Sequence, residues 1–337
     1  MGKGAKYKRI LLGIILLLTV VVVVGAPMVG LKSLSLHSIL HPSEGDLDAV
    51  IFRSIRIPRV CIAFLAGAAL AVSGMAFQAI FRNPLATPFT LGVASGASLG
   101  AAVYVRLGLA ISVFGVSGVS AFAFAGAILS ILLVYGLTRI KSGFSIGTML
   151  LAGVALNFFF SSAILFTQYM SDFTHSFRIL RWLMGGLEIM GYESVLNMAP
   201  FVISGIGIIL FLAHELNLLM TGEELAISRG ANVRRVKKVL FFATSLMVGG
   251  VVSICGPIGF VGMMVPHICR LLIGADHRYL TVATILFGGS FLTLCDMLAR
   301  ILIAPAEMPV GIITALLGGP FFIWLLLGKS SSKMGMM

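Results

Sequence analysis

The sequence predicts an all-α integral membrane protein with about ten transmembrane helices, and three observations predict it. The 337 residues are 59% hydrophobic and 11% charged, with a mean hydropathy of +1.08, whereas about a quarter of the residues of a water-soluble domain are charged. The apolar residues fall in continuous runs near the length of about 20 residues that a helix, rising 1.5 Å per residue, needs to cross roughly 30 Å of hydrocarbon. A membrane β-barrel would instead alternate apolar and polar residues over segments of about ten. The third observation is the distribution of charge, which follows the topology that those runs define.

Spans are expected at 10–30, 60–80, 90–108, 118–138, 146–168, 193–212, 236–254, 258–273, 281–301 and 309–327. The first follows Lys3, Lys6, Lys8 and Arg9, but its apolar core exceeds the roughly 7–15 residues of a secretory signal, so it reads as a retained first helix. The eighth is the weakest, being short, opened by Gly256-Pro257 and containing Pro266 and His267. The whole chain, 1–337, reads as a single transmembrane domain, with residues 1–9 and 328–337 as cytoplasmic tails and 216–230 as a cytoplasmic segment between spans six and seven.

With the N-terminus inside, 16 of the 24 Lys and Arg fall on the cytoplasmic side together with four of the 12 acids. The inner face then carries the whole net charge of +12 and the outer face none. Positive charge is expected on that side of a membrane protein, so the basic balance calls for no nucleic-acid partner. The outer face nevertheless clusters Arg53, Arg56 and Arg59 where positive charge is disfavoured.

Small residues at i and i+4 in Gly67–Gly74 and Gly92–Ser98 let helices approach closely, either for packing or to line a path. Gly and Pro interrupt the spans at Asn83-Pro84, Thr87-Pro88, Gly256-Pro257, Val265-Pro266 and Met308-Pro309. Such breaks persist in a bilayer only where protein or a water-filled cavity satisfies the freed backbone groups, which points to a transport protein. No charge lies near the middle of a span; Asp296, Arg300 and Glu307 sit near outer ends, where pairing or snorkelling is cheap. An ion-coupled carrier usually needs a buried ionisable group, so this pattern lowers that alternative. Gln78, Asn157 and Gln168 are read as interhelical hydrogen bonds ahead of substrate contacts. Cys61, Cys255, Cys269 and Cys295 lack Cys-x-x-Cys spacing and read as membrane-buried thiols. The six histidines are scattered, which speaks against a membrane-embedded enzyme or a metal site.

Nor does the chain handle ATP: its Gly328-Lys329-Ser330 has Ile323 where a phosphate-binding loop needs its first glycine. A transporter driven by ATP would need a separate ATPase, and 216–230 is suited to receive it. Thr221 is expected to cap a helix from Gly222, with Glu223 and Glu224 in its first turn and Gly230 ending it after Arg229.

The ordered stretches Arg56-Ile-Pro-Arg59, Gly67 to Gln78, Arg82-Asn-Pro-Leu-Ala86, Leu91 to Ala97, Trp182-Leu-Met-Gly-Gly186 and Leu216 to Gly230 resemble the FecCD-type permease subunits of type II ABC importers for iron-siderophores, haem and vitamin B12. So do Gly256 to Gly262, Val265-Pro-His-Ile268, Asp276-His-Arg278, Asp296 to Arg300 and Pro309 to Thr314. The resemblance covers about 50–327. It implies the type II importer architecture, a homodimer with the path at its two-fold interface, two cytoplasmic ATPases that use ATP and Mg, and an external substrate-binding protein. The chain itself would be non-catalytic and bind no cofactor, and it would sit in the inner or plasma membrane.

By the same resemblance Arg56, Arg59 and Arg300 would dock the binding protein. Leu218, Gly222, Glu223, Glu224, Ala226, Arg229 and Gly230 would couple to the ATPase. Asn83 and Leu85, with Ser142, Gly143 and Ser145 of the Lys141–Ser145 link, would form gates. The implied cargo is a metal chelate, an iron-siderophore ahead of haem or cobalamin. Two departures stand out: Tyr279-Leu280-Thr281-Val282 lacks the proline common after Asp-His-Arg, leaving the start of span nine open, and Met308 replaces a leucine before Pro-Val-Gly. His175 and Arg178 invite an anionic chelate, although simple loop solvation accounts for them.

Overall fold

The computed structural model describes residues 2–30, 46–113, 116–141, 146–187 and 191–334, together with Lys32, Leu34, Ser35, His37 and Ile39. Each expected span is a helix. The first, α1, is Gly2–Gly25. The second starts earlier than expected, at α2 (Leu47–Ile51), and runs through a π turn at Phe52–Arg56 into α3 (Ile57–Phe81). Asp46 caps it by accepting from the Asp48 N–H at 3.0 Å. Then come α4 (Val93–Arg106), α5 (Gly118–Lys141), α6 (Ile146–Tyr169) and the short amphipathic α7 (Phe173–Leu183). Past α8 (Glu193–Phe211) lie the two small helices α9 (Ala213–Met220) and α10 (Glu223–Ser228). The chain finishes with α11 (Val233–Cys255), α12 (Val261–Ile273), α13 (His277–Ile301) and α14 (Val310–Met334). A two-residue β-ribbon, β1 (Ser112–Val113) with β2 (Val116–Ser117), joins α4 to α5.

Among the described residues, seven helical stretches are long and apolar enough to cross a membrane. Of the other three, α14 runs past the end of its expected span, but α4 and α12, at 14 and 13 residues, rise only about 21 and 20 Å and are shorter than the sequence runs suggested. Proline and glycine account for this. Pro88 starts a 3-10 turn, Pro88–Leu91, ahead of α4, and Gly256–Phe260 is unwound before α12, with Phe260 held at φ +67°. Span nine, left open by the missing proline, begins at His277, where Asp276 caps it by accepting from the Arg278 N–H at 3.2 Å.

Buried α3 is the axis of the bundle, packed against α8, α11, α12 and α13. The small-residue runs serve close packing. A Cβ on Gly67 would collide with the Gly288 carbonyl of α13, and one on Gly74 with the Gly262 carbonyl of α12. In the same way Gly96 of α4 meets Gly126 of α5. Dense van der Waals contact of this kind is what holds membrane helices together, because burial of apolar surface gains little against lipid tails.

Candidate functional site

Three groups of residues are functional candidates: the arginine cluster at one end of the bundle, the α9–α10 segment at the other, and a polar seam between them. The arginine cluster is drawn together, but it faces inward. Arg56, Arg59 and Arg300 are only 6%, 7% and 4% exposed. Arg59 donates through Nε to both Asp296 oxygens at 3.0 and 3.2 Å and through Nη1 to Glu307 Oε2 at 2.7 Å. Arg300 lies 3.3 Å from Asp296 Oδ2 and donates to the Val29 and Ala26 carbonyls. Arg56 reaches the carbonyls of Pro27, Met28 and Lys32. Within this chain the guanidiniums of these three bind its own acids and the backbone beyond α1. Desolvating a lone charge is costly, and these partners are what make its burial tolerable. Arg53, on the π turn, is the exposed arginine of the cluster.

At the other end, α9 and α10 form a bent pair between α8 and α11. Thr221 does not cap α10; its hydroxyl donates back to the Leu218 carbonyl at 2.8 Å, closing α9. Gly222 at φ +117° and Gly230 at φ +86° make the two bends, in backbone regions that L-residues avoid. Ala226 is fully buried and Leu218 half-buried, so these two side chains help to anchor the pair. Glu223 is paired with Lys237 of α11, itself only 5% exposed. Glu224, Leu225, Ile227, Arg229 and Gly230 are exposed. A second tie joins α9 to α13: Asn217 donates to Asp276 Oδ1 at 2.9 Å and accepts from the His277 N–H at 2.9 Å. Burial of the Asp276 carboxyl would raise its pKa, but the hydrogen bonds from Asn217 and the Arg278 N–H, with the charges of Lys8 and Arg278, outweigh that and hold it below the ordinary value.

The polar residues within the spans satisfy broken backbone. Pro266 frees the carbonyl four residues earlier, and Gln78 Nε2 donates to that Gly262 carbonyl at 3.3 Å and to Met263 at 3.4 Å, while its Oε1 accepts from Arg270 at 2.7 Å. Asn157 Nδ2 donates at 3.2 Å to both Phe89 and Thr90 carbonyls of the 3-10 turn, and its Oδ1 accepts from Ser95 Oγ at 2.6 Å. Both are interhelical hydrogen bonds, as expected. Asn157 also stands where two clefts meet, one of about 330 Å³ reaching Thr87, Phe260 and Met263, the other of about 420 Å³ reaching Ser98, Ser161 and Gln168. Ser98 belongs to the Gly92–Ser98 run that the sequence offers as packing or path lining, whereas Ser161 was missed; its signal, a small polar residue one turn from Asn157 on α6, is one that Ala for Ser would erase.

Of the gate residues, Asn83 accepts from the Leu85 N–H at 2.9 Å in a turn that leaves Leu85 exposed, beside Arg82 at φ +49°. Ser142, Gly143 and Ser145 lie outside the described residues. His175 is engaged in capping α7: Asp172 accepts from its N–H at 2.8 Å and lies 2.7 Å from its Nδ1. Those hydrogen bonds hold the Asp172 carboxyl below its usual range. Arg178 lines a cleft of about 270 Å³ with Trp182 and Pro309.

Comparison with known proteins accounts for this arrangement. The chain is 37% identical over 333 residues to the hemin transport system permease protein HmuU of Yersinia pestis, covering 98% of this chain and 99% of that one. It is 40% identical over 287 residues to the ABC transporter permease protein YvrB of Bacillus subtilis, covering 85% and 81%, and 40% identical over 281 residues to the cobalamin import system permease protein BtuC of Halobacterium salinarum, covering 82% and 73%. A solved structure described as an inward-facing metal-chelate type ABC transporter superposes with a TM-score of 0.85 at 32% identity, over 95% of this chain and 99% of that one. Residues 14–328 match the FecCD transport family, and since the likeness follows the helical order from end to end, the chain belongs to that family.

Proposed function

We propose that this permease moves a ferric chelate of the siderophore type from an external binding protein to the cytoplasm, paired with a second copy and driven by two ATPase subunits. The chain is a multi-pass membrane protein and the permease of a metal-chelate importer. The finer reading rests above all on α9–α10. Leu225 and Ile227 are 52% and 60% exposed on a segment outside the spans, next to the exposed Glu224 and Arg229. Apolar side chains presented to water beside charges of both signs suit a protein partner. With the N-terminus inside, that partner is cytoplasmic, where ATP is available. The Asn157 clefts flank α6, whose Phe158 and Leu165 are exposed, and a second copy against that face would enclose them as a path.

Haem is the second reading, favoured by the end-to-end match to the hemin permease. The test is uptake into proteoliposomes holding this chain and its ATPase, with binding protein and labelled ferric chelate or haem outside and ATP trapped inside. ATP-dependent accumulation of one cargo supports the proposal and selects between the two. Accumulation that follows an ion gradient without ATP overturns it.

A further inference from the structure

A cleft of about 710 Å³ stands apart from the two clefts that meet at Asn157. It lies between the end of α8 and the start of α11, and its walls include Ile208, Phe211, Leu212 and Val239. At one end it carries a carboxylate and a guanidinium, Glu215 and Arg235. Among the described residues, Glu215 Oε2 is buried with no hydrogen-bond partner, and Arg235 is the basic side chain that lines the same cleft. Arg235 is exposed at the rim, with its own N–H held by Asn232 Oδ1 at 3.1 Å.

Depth decides what can enter. The cleft begins at Ser204 and Gly207, inside the apolar span of α8, and ends at Glu215, beyond it. From Ser204 to Phe211 the helix rises about 10 Å at 1.5 Å per residue. A soluble protein docking on α9–α10 cannot follow the cleft into that depth, whereas an acyl chain of the surrounding bilayer can. Phe211, 84% exposed, and Ile203, 66% exposed, continue the apolar wall toward the span. The charged end therefore stands at headgroup level with the apolar walls below it, on the face where the chain concentrates its positive charge.

We propose that this cleft binds an aminophospholipid, with its primary ammonium on Glu215, its phosphate on Arg235 and one acyl chain along Ile208, Phe211 and Val239. Charge complementarity selects the headgroup. A glycerol headgroup offers no cation to Glu215. A choline headgroup offers a cation without N–H donors, which leaves Oε2 without a hydrogen bond. A buried acceptor gains most from a charged donor, so phosphatidylethanolamine fits where phosphatidylcholine and phosphatidylglycerol do not.

The test is native mass spectrometry of the permease–ATPase complex released from bilayers of equal parts phosphatidylethanolamine, phosphatidylcholine and phosphatidylglycerol. The expected result is retention of phosphatidylethanolamine several-fold above the other two. Glu215→Gln should bring it down to the phosphatidylcholine level, and Arg235→Gln should lower both. A second series leaves the protein unaltered: retention should fall stepwise from phosphatidylethanolamine to its N-methyl, N,N-dimethyl and trimethyl forms as N–H donors are removed. Equal retention across that series overturns the proposal. So does preference for phosphatidylglycerol, which marks a plain basic patch. Loss of bound lipid when the ATPase docks makes the cleft part of the ATPase seat, and a disulfide between copies at Val239→Cys makes it a permease–permease contact; either result also overturns it.

Discussion

Arg59 and Asp296 are joined by a two-pronged ion pair, Nε to Oδ1 at 3.0 Å and Nη2 to Oδ1 at 3.0 Å, that fastens α3 to α13 with both side chains buried. Arg300, one turn from Asp296, extends the pair to the carbonyls beyond α1, and Glu307 closes it on the far side of Arg59. Four charges thus fix the relative position of three segments. Removing one partner of a buried pair leaves an uncompensated charge and costs about 3–5 kcal/mol, whereas replacing a whole pair by apolar side chains is often close to neutral. Asp296→Leu is expected to lower stability in detergent–SDS unfolding by that amount. Arg59→Met combined with Asp296→Leu should be less destabilising than the two single changes added together. Strict additivity would show that the pair does not act as a unit.

Because Arg56, Arg59 and Arg300 face inward while Arg53 is exposed, docking and stability separate by position. Arg53→Glu should weaken association with the external binding protein about 5–10-fold, mainly through a slower and more salt-sensitive on-rate, as charges at the rim of an interface do. Its melting temperature should be unchanged. Arg56→Glu should instead reduce the yield of folded protein, since it places an anion among the Pro27, Met28 and Lys32 carbonyls. Surface-plasmon binding and thermal melting of the two variants check the division, and equal binding by Arg53→Glu and the parent would remove Arg53 from the interface.

The adjacent acids of α10 divide similarly. Glu223 neutralises Lys237, so Glu223→Gln should destabilise by about 1–2 kcal/mol, less than for a wholly buried pair because Glu223 is 45% exposed. Glu224→Lys should leave stability alone and reduce co-purification of the ATPase. Leu225→Ser with Ile227→Ser should reduce it more, by about tenfold, because both would lie in the apolar core of such an interface, whereas Glu224 would lie at its charged rim. Retention of the ATPase on the doubly substituted chain would place its seat elsewhere.

The ten helices could be read from the sequence because each is a run of apolar residues, a signal that survives without knowledge of its neighbours. The seams between them could be read only in part. Gly67 and Gly74 announced close approach, but their partners Gly288 and Gly262 lie roughly 200 residues away in other helices, and nothing local links them. Gln78 and Asn157 are legible as interhelical hydrogen-bonding residues, but their partners are not: the Gly262 carbonyl that Pro266 frees, and the Phe89 and Thr90 carbonyls of a 3-10 turn, lie in distant segments. The arginines show the limit most clearly. Their position near the end of a span was legible, but whether a guanidinium faces water or a carboxylate depends on Asp296 of α13 and Glu307 in the turn after it, both far along the sequence. Thr221 failed as a cap for a simpler reason: α9 ends there, and its hydroxyl finds the Leu218 carbonyl before α10 begins.

The carboxyl of Asp276 titrates lower in the folded protein than the roughly 3.9 of an unperturbed aspartate. A depressed pKa contributes stability that is present above the unfolded value and lost as pH falls through the folded one. Asp276→Asn keeps a cap for α13 but removes this titration, so the parent should be the more stable at pH 6 and the difference should close between pH 4 and lower values. Melting curves of both proteins across that range check it. A gap that stays constant with pH would mean that Asp276 acts through hydrogen-bond geometry alone.

Gly74 offers the sharpest test of how the bundle is held. Its Cα faces the Gly262 carbonyl, which Pro266 frees and which accepts from Gln78 Nε2. A methyl group at this position would push α3 and α12 apart by acting on backbone, which cannot rotate away as a side chain can. Gly74→Ala should therefore cost about 1–3 kcal/mol, in the range of overpacked cores, even though alanine favours a helix over glycine. The displacement should also stretch the already long Gln78 contact to Gly262. Gly74→Ala and Gln78→Leu should then be non-additive in an unfolding cycle, whereas Gly13→Ala, at a glycine with nothing within 4 Å, should be neutral or slightly stabilising. If Gly74→Ala were as harmless as Gly13→Ala, close backbone approach would not be what sets the spacing of α3 and α12.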